Sequence, residues 1–357
     1  MTSKELLSIR LNQQVLTSNS MSDPEELLNW FGAIQAQDFP SSKWAIGARL
    51  DNVTDQTVEQ AIANGKLVRS WLMRGTLHLT TAGDIGWILD LLAPRIIKAS
   101  AGRNRQLELD DATFSQSRQL LTKTLLDGQP ATRKELAEVY EDAGISPKGQ
   151  RLYHMLHRAA LEKLICFGPT KNNQQTFVLL NEHVDPFPTK SREEALAELT
   201  KRYFQSHGPA TLEDFTWWSG LKKTDARKGM ESIEPLLQTA MIGDKTYYFS
   251  ESAGRSISSA KTTFLLPAFD EYVIAYRNRS ALLADKHSRQ VISTNGIFYP
   301  VIVHCGEVIG TWRRTLKKDQ VMFELKPFEK LNKIQTNGVR ISMEDCSNFN
   351  EKEIVLL

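Results

Sequence analysis

The sequence predicts an α+β chain: helix-rich modules that each close with a two-stranded hairpin, followed by a small β-barrel-like domain. Three observations predict it. Amphipathic helical segments give way to β-branched and aromatic runs around a turn near residues 66–80, 165–180 and 241–249. Pro-Ala-Thr opens a capped helix twice, at Pro130 and Pro209, and each time a turn glycine (Gly144, Gly220) and a charged helix follow. From Thr262 onward helical periodicity yields to short strands punctuated by glycine. Helices followed by a hairpin form the winged-helix arrangement, a variant of helix-turn-helix. The chain divides on this reading into winged helices at 1–105, 106–184 and 190–255 and a β-rich domain at 260–357.

The elements follow in order. Residues 4–18 carry a rough apolar face of Leu6, Leu7, Ile9, Leu11 and Val15. Ser22-Asp23-Pro24-Glu25-Glu26 is a helix start, with a cap, a first-turn proline and acids against the dipole. The helix through Leu27 to Phe31 is expected to stop before Phe39-Pro40, because the residue before proline avoids the α region. Ser41 to Leu50 and Thr54 to Asn64 are further helices, the second ended by Gly65. Lys66 to Thr80 reads as two strands turning near Arg74-Gly75, and the helix after Thr81 runs to about Lys98. In the second module Thr132 and Glu135 form a capping box. Ser146-Pro147 starts a helix reaching Leu164, and a second hairpin has its polar tip at 171–175. Asp185 to Thr189 is a linker. The third module has helices at Arg192–Ser206, from Thr211, and from Lys222, then a hairpin with a Gly243-Asp244-Lys245 turn. Thr263 to Pro267 and Phe269 to Tyr276 read as strands, as do Tyr299 to His304, Val308 to Arg314 and Gln320 to Leu325. Short strands at this spacing suggest a small open barrel or curled sheet.

Composition sets bounds. A 357-residue chain with 41% hydrophobic residues is globular, with several modules. Net charge is +2, from 44 Lys and Arg against 42 Asp and Glu, so any nucleic-acid surface must come from local segregation of charge. Cys166, Cys305 and Cys346 show neither disulfide nor zinc spacing, which fits a reducing compartment and small, mostly buried thiols. No apolar run approaches the roughly 18 residues of a membrane span, and the start lacks a signal-peptide core. The expectation is a cytoplasmic, monomeric protein with no cofactor and no metal.

The stretch Gly32-Ala33-Ile34-Gln35-Ala36-Gln37-Asp38-Phe39-Pro40 carries the chemistry. Both amides are expected at a helix end or in the turn after it, where polar groups are open to a ligand. Glutamine takes no proton, but it orients a water and presents a dipole to positive charge. That suits a reaction whose leaving group needs no acid. The plain alternative is that glutamine is an ordinary solvent-facing helix former.

In this setting the chain resembles the bacterial DNA glycosylases of the AlkZ and YcaQ type. The resemblance rests on the joint order of Gln35-Ala36-Gln37, Met73-Arg74-Gly75-Thr76-Leu77-His78, Gly208-Pro209-Ala210-Thr211 to Trp217-Trp218-Ser219-Gly220, Leu266-Pro267-Ala268-Phe269-Asp270-Glu271-Tyr272, and Gly310-Thr311-Trp312-Arg313-Arg314. It spans nearly the whole chain. Gln-x-Gln resembles the AlkZ-like branch and not the Gln-x-Asp of the YcaQ-like one. The resemblance implies tandem winged helices with a C-terminal barrel and excision of alkylated purines from double-stranded DNA in base excision repair. It also implies a bacterial enzyme associated with the nucleoid when bound to DNA. It leaves the lesion open, since some members act on bulky natural-product adducts. On this reading Gln37 orients the water and Gln35 braces it or contacts the nucleotide, or the reverse. No lysine stands out as a Schiff-base nucleophile, so no lyase step is expected.

Other residues were weighed for roles. Arg69 and Arg74 flank the first hairpin and suit phosphate contacts. Lys222, Lys223, Arg227 and Lys228 start the helix that in a winged helix reads the groove. Arg313, Arg314, Lys317 and Lys318 surround a hairpin tip and suit DNA contact. His78 reads as a core histidine. His154 and His157 have the spacing of two metal ligands without a third. Asp270 and Glu271, adjacent on an expected strand, point to opposite faces, which argues against a catalytic dyad and leaves for one of them a structural role or the positioning of a basic partner. Trp217-Trp218 reads as core. Two other functions compete with a glycosylase: a winged-helix transcriptional regulator, which prefers one sequence and dimerises, and an adaptor without salt-dependent duplex binding.

Overall fold

The computed structural model describes residues 1–17, 21–250 and 262–356. The expected module limits at 255 and 260, and the last residue of the expected first helix, lie outside them.

Helix α1, Ser3–Gln13, opens with a Thr2–Glu5 capping box. Helix α2, Pro24–Phe31, is capped by Asp23, whose carboxylate accepts the Glu25 N–H at 2.6 Å. It ends at Gly32, whose φ of 79° suits glycine and whose N–H reaches Leu28 O at 2.8 Å. The short strand β1, Ile34–Gln35, follows. Phe39-Pro40 does not stop a helix as expected: it begins α3, Phe39–Gly47, with Asp38 as cap. A first-turn proline lacks only an N–H that has no intrahelical partner anyway. Helix α4 is Asp55–Ala63. Strands β2, Leu67–Trp71, and β3, Leu77–Thr81, form the expected hairpin, and α5 runs over Ala82–Gln106, well past Lys98.

Helix α6 is Asp111–Leu125 and strand β4 is Ala131–Thr132. Helix α7, Arg133–Asp142, has the expected Thr132–Glu135 capping box. Helix α8 begins at Arg151, not at Ser146-Pro147, because Gln150 takes φ 76°, and ends at Leu161. Strands β5, Ile165–Phe167, and β6, Thr176–Leu179, make the second hairpin, and α9 is Leu180–His183. Helix α10 covers Arg192–Ser206. Helix α11, Leu212–Ser219, carries a Thr211–Asp214 capping box and ends at Gly220, and α12 is Lys223–Ile233. Strands β7, Leu237–Ile242, and β8, Lys245–Ser250, form the third hairpin.

Strand β9 is Thr263–Leu266. The expected strand Phe269–Tyr276 is instead a turn, with Phe269 at φ 59°, and a helix, α13, Glu271–Ile274. Helix α14 is Ser288–Val291. Strands β10, Val301–His304, β11, Glu307–Leu316, and β12, Gln320–Pro327, follow, and then α15, Lys333–Asn350, and β13, Glu353–Leu356. The long α15 was not foreseen in a domain read as β-rich.

The chain forms two compact units, Met1–Val58 with Leu196–Leu357, and Glu59–Ala195. The first unit contains an open sheet in the order β13-β12-β11-β10-β9, antiparallel except for β12–β13. Helix α15 packs on it: the Phe349 ring fills the space over Gly47, where a Cβ would lie 2.2 Å from the ring, and Ser342 Oγ donates to Thr263 O at 2.7 Å. The core of this unit gathers Trp44, Tyr203, Phe215, Trp218, Tyr272 and Tyr276, all nearly inaccessible. In the second unit four strands run in the order β3-β2-β5-β6, with β4 beyond β6. No described helix is long and apolar enough to cross a membrane.

Candidate active site

The segment from Gly32 to Pro40 starts in the core and surfaces partway along. Ala33, Ile34 and Ala36 are buried, and Gln35 is 6% exposed. Gln37 and Asp38 are exposed. Residues 35 and 37 would share a face on a continued strand, but β1 ends at Gln35, and the turn after it leaves Gln35 buried and Gln37 exposed to solvent. Asp38 accepts the Ser41 N–H at 2.8 Å, which fixes the turn against the start of α3.

Behind this segment lies a polar network that sequence reading did not find. The Gln35 backbone N–H donates to Glu271 Oε1 at 2.7 Å. The other oxygen of Glu271 accepts the Trp218 indole N–H at 2.9 Å and lies 3.3 Å from His207 Nε2. Glu271 is 2% exposed, so each of these bonds acts at low dielectric. Burial lowers the His207 pKa, partly opposed by Glu271, so the ring is neutral. With Nε2 protonated it donates to Glu271, and Nδ1 takes the Ser206 hydroxyl at 2.8 Å.

Asp270, one residue earlier, caps α13 and grips Arg49 with two bonds of 2.8 Å. Arg49 also donates to Gln14 O at 2.9 Å, Ala45 O at 2.8 Å and Gln14 Oε1 at 3.1 Å. All five guanidinium N–H groups thus have acceptors, which a buried arginine requires. Gln14 continues the network to the Tyr276 hydroxyl at 3.0 Å, and that hydroxyl donates to His207 O at 2.8 Å. Burial pushes the Tyr276 pKa up to about 12, keeping it neutral. The expectation that Asp270 and Glu271 face opposite ways assumed a strand. At a helix start both side chains point into the core, and the expected basic partner is Arg49.

The predicted basic residues fall in different places. Arg314 donates to Pro40 O at 2.6 Å, which holds the β11–β12 hairpin beside the glutamine segment. Arg313, Lys317 and Lys318 are exposed on the same hairpin. Lys222, Lys223, Arg227 and Lys228 are all exposed at the start of α12. Lys223 pairs with Glu213 at 3.0 Å, and with Arg227 it lines a cleft of about 850 Å³. Lys245, Arg277 and Arg279 also line this cleft and were missed, whereas neither glutamine does. Arg74 is half-buried at the tip of the first hairpin with φ 57°.

Arg69 corrects an expectation. It is 4% exposed, bonded to Gln175 and stacked over Phe167 at 4.6 Å, a packing residue of a strand buried on both faces. Of the other candidates, His78 and Trp218 are core as expected, and Trp217 and Cys305 are not. His78 is fully buried. Trp218 is core, but Trp217 is 40% exposed, and Cys305 is exposed while the other two thiols are buried. His154 and His157 belong to an aromatic cluster with Tyr153 and Trp71. Among the described residues no three His, Cys, Asp or Glu side chains converge as a metal site.

The chain is thus a mixed α+β protein that sets a Gln-x-Gln segment against a buried, charged hydrogen-bond network. The family model described as DNA glycosylase AlkZ-like matches residues 28–349, and the chain belongs to that family. A relative from Streptomyces sahachiroi, an interstrand DNA cross-link repair glycosylase, is 27% identical over 330 residues, 87% of each chain. The solved structure of Streptomyces sahachiroi DNA glycosylase AlkZ matches with a TM-score of 0.75 over 100% of both chains at 21% identity, a likeness of fold.

Proposed function

We propose that this chain is a monofunctional DNA glycosylase that hydrolyses the N-glycosidic bond of N7-alkylated, cationic purines, or of related bulky lesions and crosslinks, in double-stranded DNA. The observation that carries this reading is the exposed Gln37 on a segment whose backbone is tied, at Gln35, to a buried carboxylate. A fixed backbone and a solvent-reaching amide are what water positioning requires.

The chemistry follows from charge. Breaking the sugar–base bond generates an oxocarbenium-like sugar. A purine alkylated at N7 already carries positive charge and leaves as a neutral base, so no general acid is needed. What remains is to hold a water on the sugar and to face the developing charge with a dipole. Gln37 does this; Gln35, buried and not open to the nucleotide, contributes through the backbone that its N–H anchors on Glu271. The basic residues Arg313, Arg314, Lys317 and Lys318 of the β11–β12 hairpin, beside the segment, hold the duplex, with Lys222, Lys223, Arg227 and Lys228 of α12 and Arg74 as further phosphate contacts. We read the three helix–hairpin modules, 1–105, 106–184 and 190–255, as winged helices serving this grip, with 260–357 as the barrel-like domain, and the protein as a monomer without cofactor. The relative's crosslink substrate supports including bulky lesions.

The test is excision of N7-methylguanine from duplex DNA, read by alkaline cleavage at the abasic site. Gln37→Ala lowers the single-turnover rate by roughly 10²–10³ and leaves duplex affinity within about twofold. Equal rates for variant and wild type would remove Gln37 from the chemistry. Borohydride trapping of a covalent complex would overturn the monofunctional assignment.

A further inference from the structure

The second half of α5 differs from several helices among the described residues that also carry basic side chains. Up to Ala93 the helix is mostly buried, Gly83 and Asp90 excepted, and from Pro94 to Gln106 most positions are exposed. This stretch contains Arg95, Lys98, Arg103 and Arg105 and no acidic residue. Elsewhere helices set acids one turn from their bases: Lys134–Glu138 in α7 at 3.8 Å, Arg158 of α8 with the C-cap Glu162 at 2.6 Å, Arg202–Glu198 in α10 at 2.7 Å, and Arg340–Glu344 in α15. Such pairs are the ordinary device of a solvated helix face. Among the described residues Arg95, Lys98 and Arg105 form no ion pair at all. Arg103 spends its guanidinium on two neutral amides, Gln106 and Gln150, at 3.0 Å each.

The unpaired cations share one face. At 100° per residue, Arg95, Lys98, Gly102 and Arg105 fall within an arc of about 80°. Gly102 sits inside this stripe, a turn before the helix ends at Gln106, and a Cβ built there meets nothing within 4 Å. A glycine is a poor helix former at an exposed site, and here it fills no packing need. What it does is lower the surface between the cations. The stripe is about 15 Å long, comparable with a run of about four phosphates along one strand of a duplex. The helix end is anchored, because Arg151 donates to the carbonyls of Leu107 and Glu108, the latter at 3.0 Å. The stripe is therefore a fixed run of cations with no acid inside it and a flat centre.

We infer that Arg95, Lys98 and Arg105, with the gap at Gly102, form a second docking surface for the phosphodiester backbone of duplex DNA. It serves grip and not chemistry. The identity of the polyanion rests on the glycosylase reading, and the stripe itself does not.

The experiment uses the full chain and a fluorescent undamaged duplex, with affinity measured across a salt series. The triple variant Arg95→Gln, Lys98→Gln, Arg105→Gln keeps good helix formers at exposed sites. It is expected to bind at least about tenfold more weakly, with the slope of log affinity against log salt reduced by two to three. Excision of N7-methylguanine at saturating protein stays at the wild-type rate. A second variant, Gly102→Glu, separates folding from binding: it melts no lower than wild type, because glutamate is the better helix former, yet binds duplex more weakly. Unchanged affinity and slope in both variants would overturn the inference while leaving the proposed function intact. A wild-type chain that binds no duplex at low salt would overturn both.

Discussion

The cores of the two units solve the same problem with different materials. Among its own buried rings the first unit also sets an ion network: Arg49 with Asp270, and Glu271 under Gln35, Trp218 and His207. The second unit buries rings: Trp71 lies 5.2 Å from Phe167, 6.3 Å from Phe177 in a parallel stack, and 5.5 Å from His157. Aromatic packing tolerates small shifts, because its attraction is spread over many weak contacts. A buried ion network does not, because one misplaced donor leaves an uncompensated charge. The glutamine segment is attached to the kind of core that permits least play.

The contrast can be broken most sharply at Asp270. Asp270→Ala strands the Arg49 guanidinium, and the denaturant midpoint should report a loss of about 3–5 kcal/mol. A loss under about 1 kcal/mol would mean that the network is slack and the contrast unreal.

Acid sharpens the other side. Burial, aided by His154, holds His157 down to about 4, below its unfolded value of 6.5. Between these values the unfolded chain binds the extra proton. Stability is therefore complete above about 6.5 and falls as pH drops toward 4, by on the order of 3 kcal/mol from this one ring. His207 shifts in the same direction. His157→Phe should flatten much of the slope in an acid titration of stability, and an unchanged slope would take His157 out of the account.

A subtler change is Glu271→Gln, which keeps the shape but replaces one acceptor oxygen with a donor facing N–H groups. It should cost about 1–3 kcal/mol of stability. It should also lower kcat on N7-methylguanine DNA even where the protein remains fully folded, whereas a purely structural role would leave kcat unchanged. The smallest effect belongs to the surface. Lys223→Gln, which loses the half-exposed pair with Glu213, should change stability by under about 1 kcal/mol, and less at high salt.

Local signals explain which features were legible. The caps at Thr132 and Thr211, the limits of α10, the three hairpins and the fall of Gln35 and Gln37 after a helix could all be read from residue order, because caps and turns are short-range chemistry. Glu271 could not. Its role depends on a partner 236 residues away, and its strand-like aromatic neighbours concealed the turn at Phe269. Arg69 failed for the converse reason, since alternation along a strand says nothing about whether both faces are covered. Phe39-Pro40 was ambiguous because proline both ends and begins helices, and only the Asp38 cap decides.

One feature of the topology reaches into synthesis. Trp44 donates to Leu265 O at 2.7 Å, Gln35 to Glu271, and the ring of Phe349 covers Gly47. A nascent chain emerging from the ribosome exposes its glutamines early but lacks their scaffold until almost the last helix has been translated. The second unit, encoded in between, has all its own strands by then. Competence should thus arrive late and all at once, so that prematurely terminated chains are inert toward DNA lesions, not half-active.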